Sequence, residues 1–181
     1  PLLMGGQQVI GIAQTGTGKT AAYLLPVLYK LRYSQGEEPR ALILVPTKEL
    51  VVQVEHQSKQ LAQFTDLRMA ALYGGVGPKT QIETIQRGVD LIIATPGRFL
   101  ELYLRQEIPT RQIKTLVIDE ADRMMDMGFM PQLRKIFEVI PDKRQNMLFS
   151  ATFPTKVERL SQEFLDFAVR IEVTPQVTAS R

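Results

Sequence analysis

The chain contains no cysteine. That excludes a disulfide framework and any thiolate metal site. It contains one histidine, His56, so a zinc site built on several imidazoles is excluded as well. Any metal must then sit on oxygen ligands, which points to magnesium-like chemistry. No stretch approaches the roughly 18 apolar residues that a membrane-spanning helix needs. The opening residues "PLLMGGQQVIG" lack the basic segment and small-residue cleavage site of an export signal. Excess charge is small: the formal net charge is +3, too weak alone to argue for a nucleic-acid partner. There is no internal repeat and no low-complexity tract.

What is present is an ordinary globular balance, 44% hydrophobic and 23% charged over 181 residues. A chain of this length buries roughly two-thirds of its extended surface and needs no staples. Short apolar runs recur at Val9–Ala13, Ala41–Val45, Met69–Tyr73, Asp90–Ala94, Leu116–Ile118, Met147–Phe149 and Val169–Val173. Their lengths suit strands, and several are apolar on both faces. Segments of helical character separate them. In Glu49–Phe64, the residues Leu50, Val51, Val54, Gln57, Leu61 and Phe64 repeat at about threes and fours, which predicts an amphipathic helix. Pro26 lies inside "KTAAYLLPVLYKL", where a kink is expected rather than two helices. The alternation predicts an α/β fold with a mostly parallel sheet covered by helices. One domain is expected over 1–173, with "TPQVTASR" (174–181) as the start of a linker. The chain is expected to be a fragment.

"AQTGTGKT" (13–20) follows the first predicted strand and opens the first predicted helix, the setting a P-loop requires. Gly16 and Gly18 allow a tight turn whose backbone N–H groups, from Gln14 through Thr20, face phosphate oxygens. The helix adds its positive end. Lys19 is placed to reach the β- and γ-phosphates, and Thr20 to put its hydroxyl on magnesium. Ala13 stands where the strict pattern has glycine.

"TLVIDEAD" (115–122) runs an apolar strand into three carboxylates. Asp119 falls at the carboxyl end of that strand, where ligands bind in open α/β sheets. An aspartate there holds magnesium, and Glu120 beside it can orient and polarise an attacking water. Asp122 alone could cap the next helix. "SAT" (150–152) ends the next strand; Ser150 and Thr152 are either a helix cap or partners of Asp122 that report the nucleotide state.

Together these segments resemble the DEAD-box ATP-dependent RNA helicases, specifically their first RecA-like domain. "AQTGTGKT" is similar to motif I and "PTKEL" with Gln53 to motif Ia. Gly74-Gly75 is similar to the GG element and "TPGR" (95–98) to motif Ib. "DEAD" (119–122) matches motif II letter for letter, "SAT" matches motif III, and "RMMDMGF" (123–129) is typical of the family. The order covers nearly the whole chain. Lys48 stands where the family usually has arginine, and Val51 where it has alanine. Lysine keeps the charge but loses the planar fork. The family's adenine-reading glutamine lies upstream of motif I, and Gln7, Gln8 and Gln14 do not match it.

The resemblance implies a P-loop NTPase domain that binds ATP and Mg2+ and pairs with a second RecA-like domain, which brings the arginine fingers. It implies hydrolysis to ADP and phosphate coupled to local unwinding of RNA duplexes. Pro46, Thr47, Lys48, Gly74, Gly75, Thr95, Pro96, Gly97 and Arg98 would bind one RNA strand by its sugar-phosphate backbone, without sequence preference. No aromatic residue lies among these nine, so base stacking is not suggested. A DNA translocase of the same superfamily and a non-hydrolysing nucleotide-binding scaffold are the competing readings. The chain alone is expected to be a monomer with weak nucleotide binding and little stimulated hydrolysis. A cytoplasmic location is expected, without membrane association.

Overall fold

Each apolar run forms a strand in the computed structural model, which describes residues 8–13, 18–165 and 169–172. The strands are β1 (Val9–Ile12), β2 (Ala41–Leu44), β3 (Met69–Leu72), β4 (Leu91–Ala94), β5 (Thr115–Ile118), β6 (Gln145–Ser150) and β7 (Val169–Glu172). They form one sheet in the order β3-β4-β2-β5-β6-β1-β7. Every pairing among them is parallel, so the sheet goes further than the mostly parallel one expected. The expected linker start at 174–181 lies outside the described residues.

Helices α1 (Lys19–Leu31), α2 (Lys48–Leu61), α3 (Lys79–Gln86), α4 (Pro96–Leu104), α5 (Ala121–Asp126), α6 (Met130–Val139) and α7 (Thr155–Phe164) fill the connections. Their placement follows from handedness. Crossovers between parallel strands are right-handed, so the direction of travel across the sheet decides the face. From β1 to β2 to β3 the chain moves one way; from β3 onward it moves back. Accordingly α1 and α2 pack on one face and the later helices on the other.

Strand periodicity then sorts the core. Ile43, Val117 and Met147 meet Leu24, Val27 and Val51 on the first face. Leu42, Leu44, Leu116 and Ile118 meet Phe99, Leu102, Met124 and Leu133 on the second. Alternate residues of one strand serve opposite cores, which is why these strands read as unbroken apolar runs. Burying each such side chain contributes about 1.5–3 kcal/mol. Gly11 in β1 has a packing reason: an added Cβ would lie 2.5 Å from the Phe149 ring.

One sequence expectation holds and another shifts. Pro26 does lie inside a single helix. Helix α2, however, begins at Lys48 and ends at Leu61. Phe64, expected on its apolar face, lies beyond the helix and is 93% exposed. Thr47 starts α2 by accepting the Leu50 N–H at 3.3 Å.

A buried charge ties the opposite edge together. Asp90, just before β4, is fully buried. Its Oδ1 accepts from Arg40 Nη2 at 2.9 Å and Arg68 Nη2 at 3.1 Å. Its Oδ2 accepts from Arg68 Nε at 3.2 Å and from the Arg68 backbone N–H at 2.9 Å. The Gln35 N–H adds a further bond to Oδ1 at 3.2 Å. Burial alone would raise this carboxyl, but the bonds from Arg68, Arg40 and Gln35 outweigh it and hold the group below its ordinary range. The loop before β2 and the starts of β3 and β4 are thereby fastened to one carboxylate.

Candidate active site

Strands β1 and β6 are neighbours whose following helices lie on opposite faces; so are β2 and β5. At such places the chain ends diverge and leave a crevice beyond the strand carboxyl ends. The acidic strand β5 is not beside β1, because β6 lies between them. Its aspartate still meets the start of α1.

Lys19 Nζ lies 3.1 Å from Asp119 Oδ1 and 3.4 Å from Glu120 Oε1. Lys19 is 5% exposed and Asp119 3%. Asp119 Oδ1 also accepts the Glu120 N–H at 2.7 Å, and its Oδ2 accepts the Tyr23 phenol at 2.9 Å. Burial raises the Asp119 carboxyl above its usual value, although Lys19, Tyr23 and the Glu120 N–H each favour its charge. The Tyr23 phenol is raised well above its usual value, first by burial and then by the charge of Asp119. Glu120 adopts φ 55° and ψ 47°, the left-handed region, at a cost on the order of 1 kcal/mol for a residue with a side chain. That turn ends β5, starts α5 and swings the Glu120 carboxylate back toward Lys19.

A cavity of about 250 Å³ opens here, lined by Gly18, Lys19, Thr20, Ala21, Asp119 and Glu120, with Leu50, Gln53, Val54 and Gln57 of α2 opposite. Gly18 is left-handed at φ 75°, and no side chain caps α1. Among the described residues no side chain partners the first N–H groups of α1, a setting suited to phosphate oxygens. The remaining expected loop residues, Gln14, Thr15, Gly16 and Thr17, lie outside the described residues. The Thr20 hydroxyl with the Asp119 and Glu120 carboxylates forms an oxygen-only donor set. Such a set fits magnesium, which takes one or two protein carboxylates and completes its shell with phosphate and water. Among the described residues no group of three or more acidic or histidine side chains forms a separate metal cage.

The three residues expected to couple are brought together. Asp122 donates its backbone N–H to Ser150 Oγ at 3.1 Å, and Thr152 Oγ1 donates to Asp122 Oδ2 at 2.9 Å. The carbonyl of Ser150 accepts the Ala13 N–H at 2.9 Å, at the end of β1. One hydroxyl residue at the end of β6 thus touches both the phosphate-loop strand and the acidic turn. Sequence left helix capping open for Ser150 and Thr152; neither caps α7, whose N-cap is Pro154.

The expected backbone-binding residues form a second surface along the same edge. They follow β2, β4 and β3, which are adjacent. Lys48, Gly74, Gly75 and Gly97 are exposed, Thr47 and Thr95 half-buried, and Pro46, Pro96 and Arg98 buried. Nothing lies within 4 Å of a Cβ built on Gly74 or Gly97, and neither is left-handed. No contact inside the chain demands glycine there; a close approach from outside would. The N-terminus of α4 carries no side-chain cap, leaving N–H groups free at this surface. Arg98 points inward. Its Nη2 donates to the Val76 carbonyl at 2.7 Å, and its Nε lies 3.1 Å from Glu101 Oε2. Gln81 clasps the Tyr73 backbone at both N–H and carbonyl, and its Oε1 meets Arg98 Nη1 at 3.4 Å. Arg98 therefore braces the glycine loop from beneath. Tyr73 is an aromatic neighbour that the sequence reading left out of this surface; Lys48 Nζ lies 5.2 Å from its ring centroid. No helix among the described residues is long and apolar enough to cross a membrane.

A family model described as DEAD/DEAH box helicase matches residues 1–160. The chain is 45% identical over 169 residues to DEAD-box ATP-dependent RNA helicase 30 of Arabidopsis thaliana, covering 91% of this chain and 29% of that protein. It is 42% identical to DEAD-box ATP-dependent RNA helicase 20 of the same plant, covering 91% and 34%. It is 41% identical to the ATP-dependent RNA helicase dbp2 of Schizosaccharomyces pombe, covering 96% and 32%. The chain spans about a third of the length of these curated relatives.

Proposed function

The chain belongs to the DEAD/DEAH box helicase family, as its N-terminal RecA-like domain, and from that premise we propose that it is the ATP-binding half of an RNA-dependent ATPase that opens short duplexes. The observation that supports this most is the meeting of Lys19 with Asp119 and Glu120 at the uncapped start of α1. Lys19 is folded back on the two carboxylates and is the cation a triphosphate would recruit. Thr20 and Asp119 would hold magnesium; when bound, it offsets charge on the phosphate oxygens. Asp119 is already fixed at both oxygens by Lys19, Tyr23 and the Glu120 N–H. Glu120 is held toward the cavity by its left-handed backbone and would accept a proton from water attacking the γ-phosphate.

The RNA strand would cross the ends of β2, β4 and β3, with phosphates over Gly74, Gly75 and Gly97 and at the starts of α2 and α4. Lys48 and Thr47 would add donors, while Arg98 would act through the loop it braces. Asp122, Ser150 and Thr152 would carry changes at the nucleotide to the rest of the chain. A second RecA-like domain would close on both surfaces. The test uses a protein that joins this chain to such a domain. An RNA strand is expected to stimulate phosphate release and a DNA strand of equal length and sequence is not. Equal stimulation by both would favour a DNA translocase; no stimulation by either, with nucleotide still bound, would favour a scaffold.

A further inference from the structure

Tyr23 sits one turn into α1 beyond Thr20 and is fully buried. Its ring packs on Phe149, with centroids 5.1 Å apart. Phenylalanine would fill that space without burying a hydroxyl, which costs free energy unless it is bonded. The Tyr23 hydroxyl donates to Asp119 Oδ2 at 2.9 Å. Asp119 is one of the side chains that would hold the metal.

We propose that Tyr23 is a positioning residue of this site, fixing the Asp119 carboxylate for a hard divalent cation that arrives with the nucleotide. The proposal rests on the nucleotide reading above. An ionised carboxylate only accepts, so the single phenol proton goes to Asp119. The phenol holds Asp119 Oδ2, while Oδ1 is held by Lys19 and the Glu120 N–H. Outer partners of this kind typically set metal affinity by about 10–100-fold.

The test compares the chain with its Tyr23→Phe variant, which keeps the ring contact with Phe149 and removes only the hydroxyl. ADP affinity is measured with excess Mg2+ and with EDTA, and the ratio of the two is the readout. The ratio is expected to fall on the order of 10-fold in Tyr23→Phe while affinity in EDTA stays unchanged. A purely structural role would weaken both affinities together, and that result, or an unchanged ratio, overturns the proposal. If the wild-type ratio is itself unity, the magnesium–nucleotide reading fails instead, so the two failures are distinct. A second readout needs no variant. With carbon-labelled tyrosine in the wild-type chain, the Tyr23 ring signals are expected to shift when Mg2+ is added to the ADP complex. Signals that do not move contradict the proposal.

Discussion

Replacing Glu120 by glutamine is expected to lower ATP turnover by on the order of 10²–10⁴ in a protein that joins this chain to a second RecA-like domain. Nucleotide affinity is expected to stay near wild type. Glutamine has the same length and keeps an oxygen for Lys19, which lies 3.4 Å from Glu120 Oε1. What it loses is the capacity to take a proton. The long contact to Arg123, at 4.0 Å with Arg123 exposed, contributes little to folding. The left-handed backbone at residue 120 is equally strained by either side chain, so the turn is kept. Single-turnover phosphate release and a nucleotide titration on the same preparation check this. Turnover near wild type would remove Glu120 from the chemistry. Loss of both turnover and binding would make it a structural residue.

Asp90→Ala is expected to destabilise the chain by about 3–5 kcal/mol, because it strands two arginines whose shared carboxylate is buried. Asp90→Asn adds the pH dependence. The folded-state value of Asp90 is depressed, so its stabilisation is fully present above the unfolded value and is lost as pH falls through the folded one. The stability gap between wild type and Asp90→Asn is therefore expected to be constant near neutrality and to close in acid, below the ordinary carboxylate range. Denaturant melts across that range measure it. A gap that does not change with pH would mean that Asp90 acts by shape and hydrogen bonding rather than charge.

How legible these features were in the sequence depended on how local their causes are. Asp119 and Glu120 could be placed because they follow directly from an apolar strand, and Lys19 and Thr20 because they open the helix after a glycine-bearing loop that follows another. Strand order was not legible. That β6 intervenes between β1 and β5 is a matter of long-range pairing, and no spacing in the chain encodes it. Asp90 read as the first residue of a strand because its partners, Arg68 and Arg40, are 22 and 50 residues away. Nothing in the segment "KTAAYLLPVLYKL" singles out Tyr23; its polar atom matters only because β5 delivers Asp119 against it, 96 residues later. The family resemblance put Arg98 of "TPGR" among the donors to an RNA backbone. Its inward turn follows from the Val76 carbonyl and Gln81, which the sheet edge brings underneath it. Phe64 shows the opposite error: helical spacing continues past Leu61, but the helix does not.

The central claim is that Lys19, Asp119 and Glu120 form a nucleotide site, with Lys19 leaving its carboxylates for the phosphates. The most direct measurement is an ATP titration of this chain and of its Lys19→Ala variant in Mg2+, with a melt of each to confirm folding. The chain is expected to bind ATP weakly, and the folded variant to lose affinity by on the order of 10-fold or more, as befits the loss of a charge-assisted phosphate contact. Equal affinities in two folded proteins, or no binding by the wild type at any attainable concentration, would contradict the account.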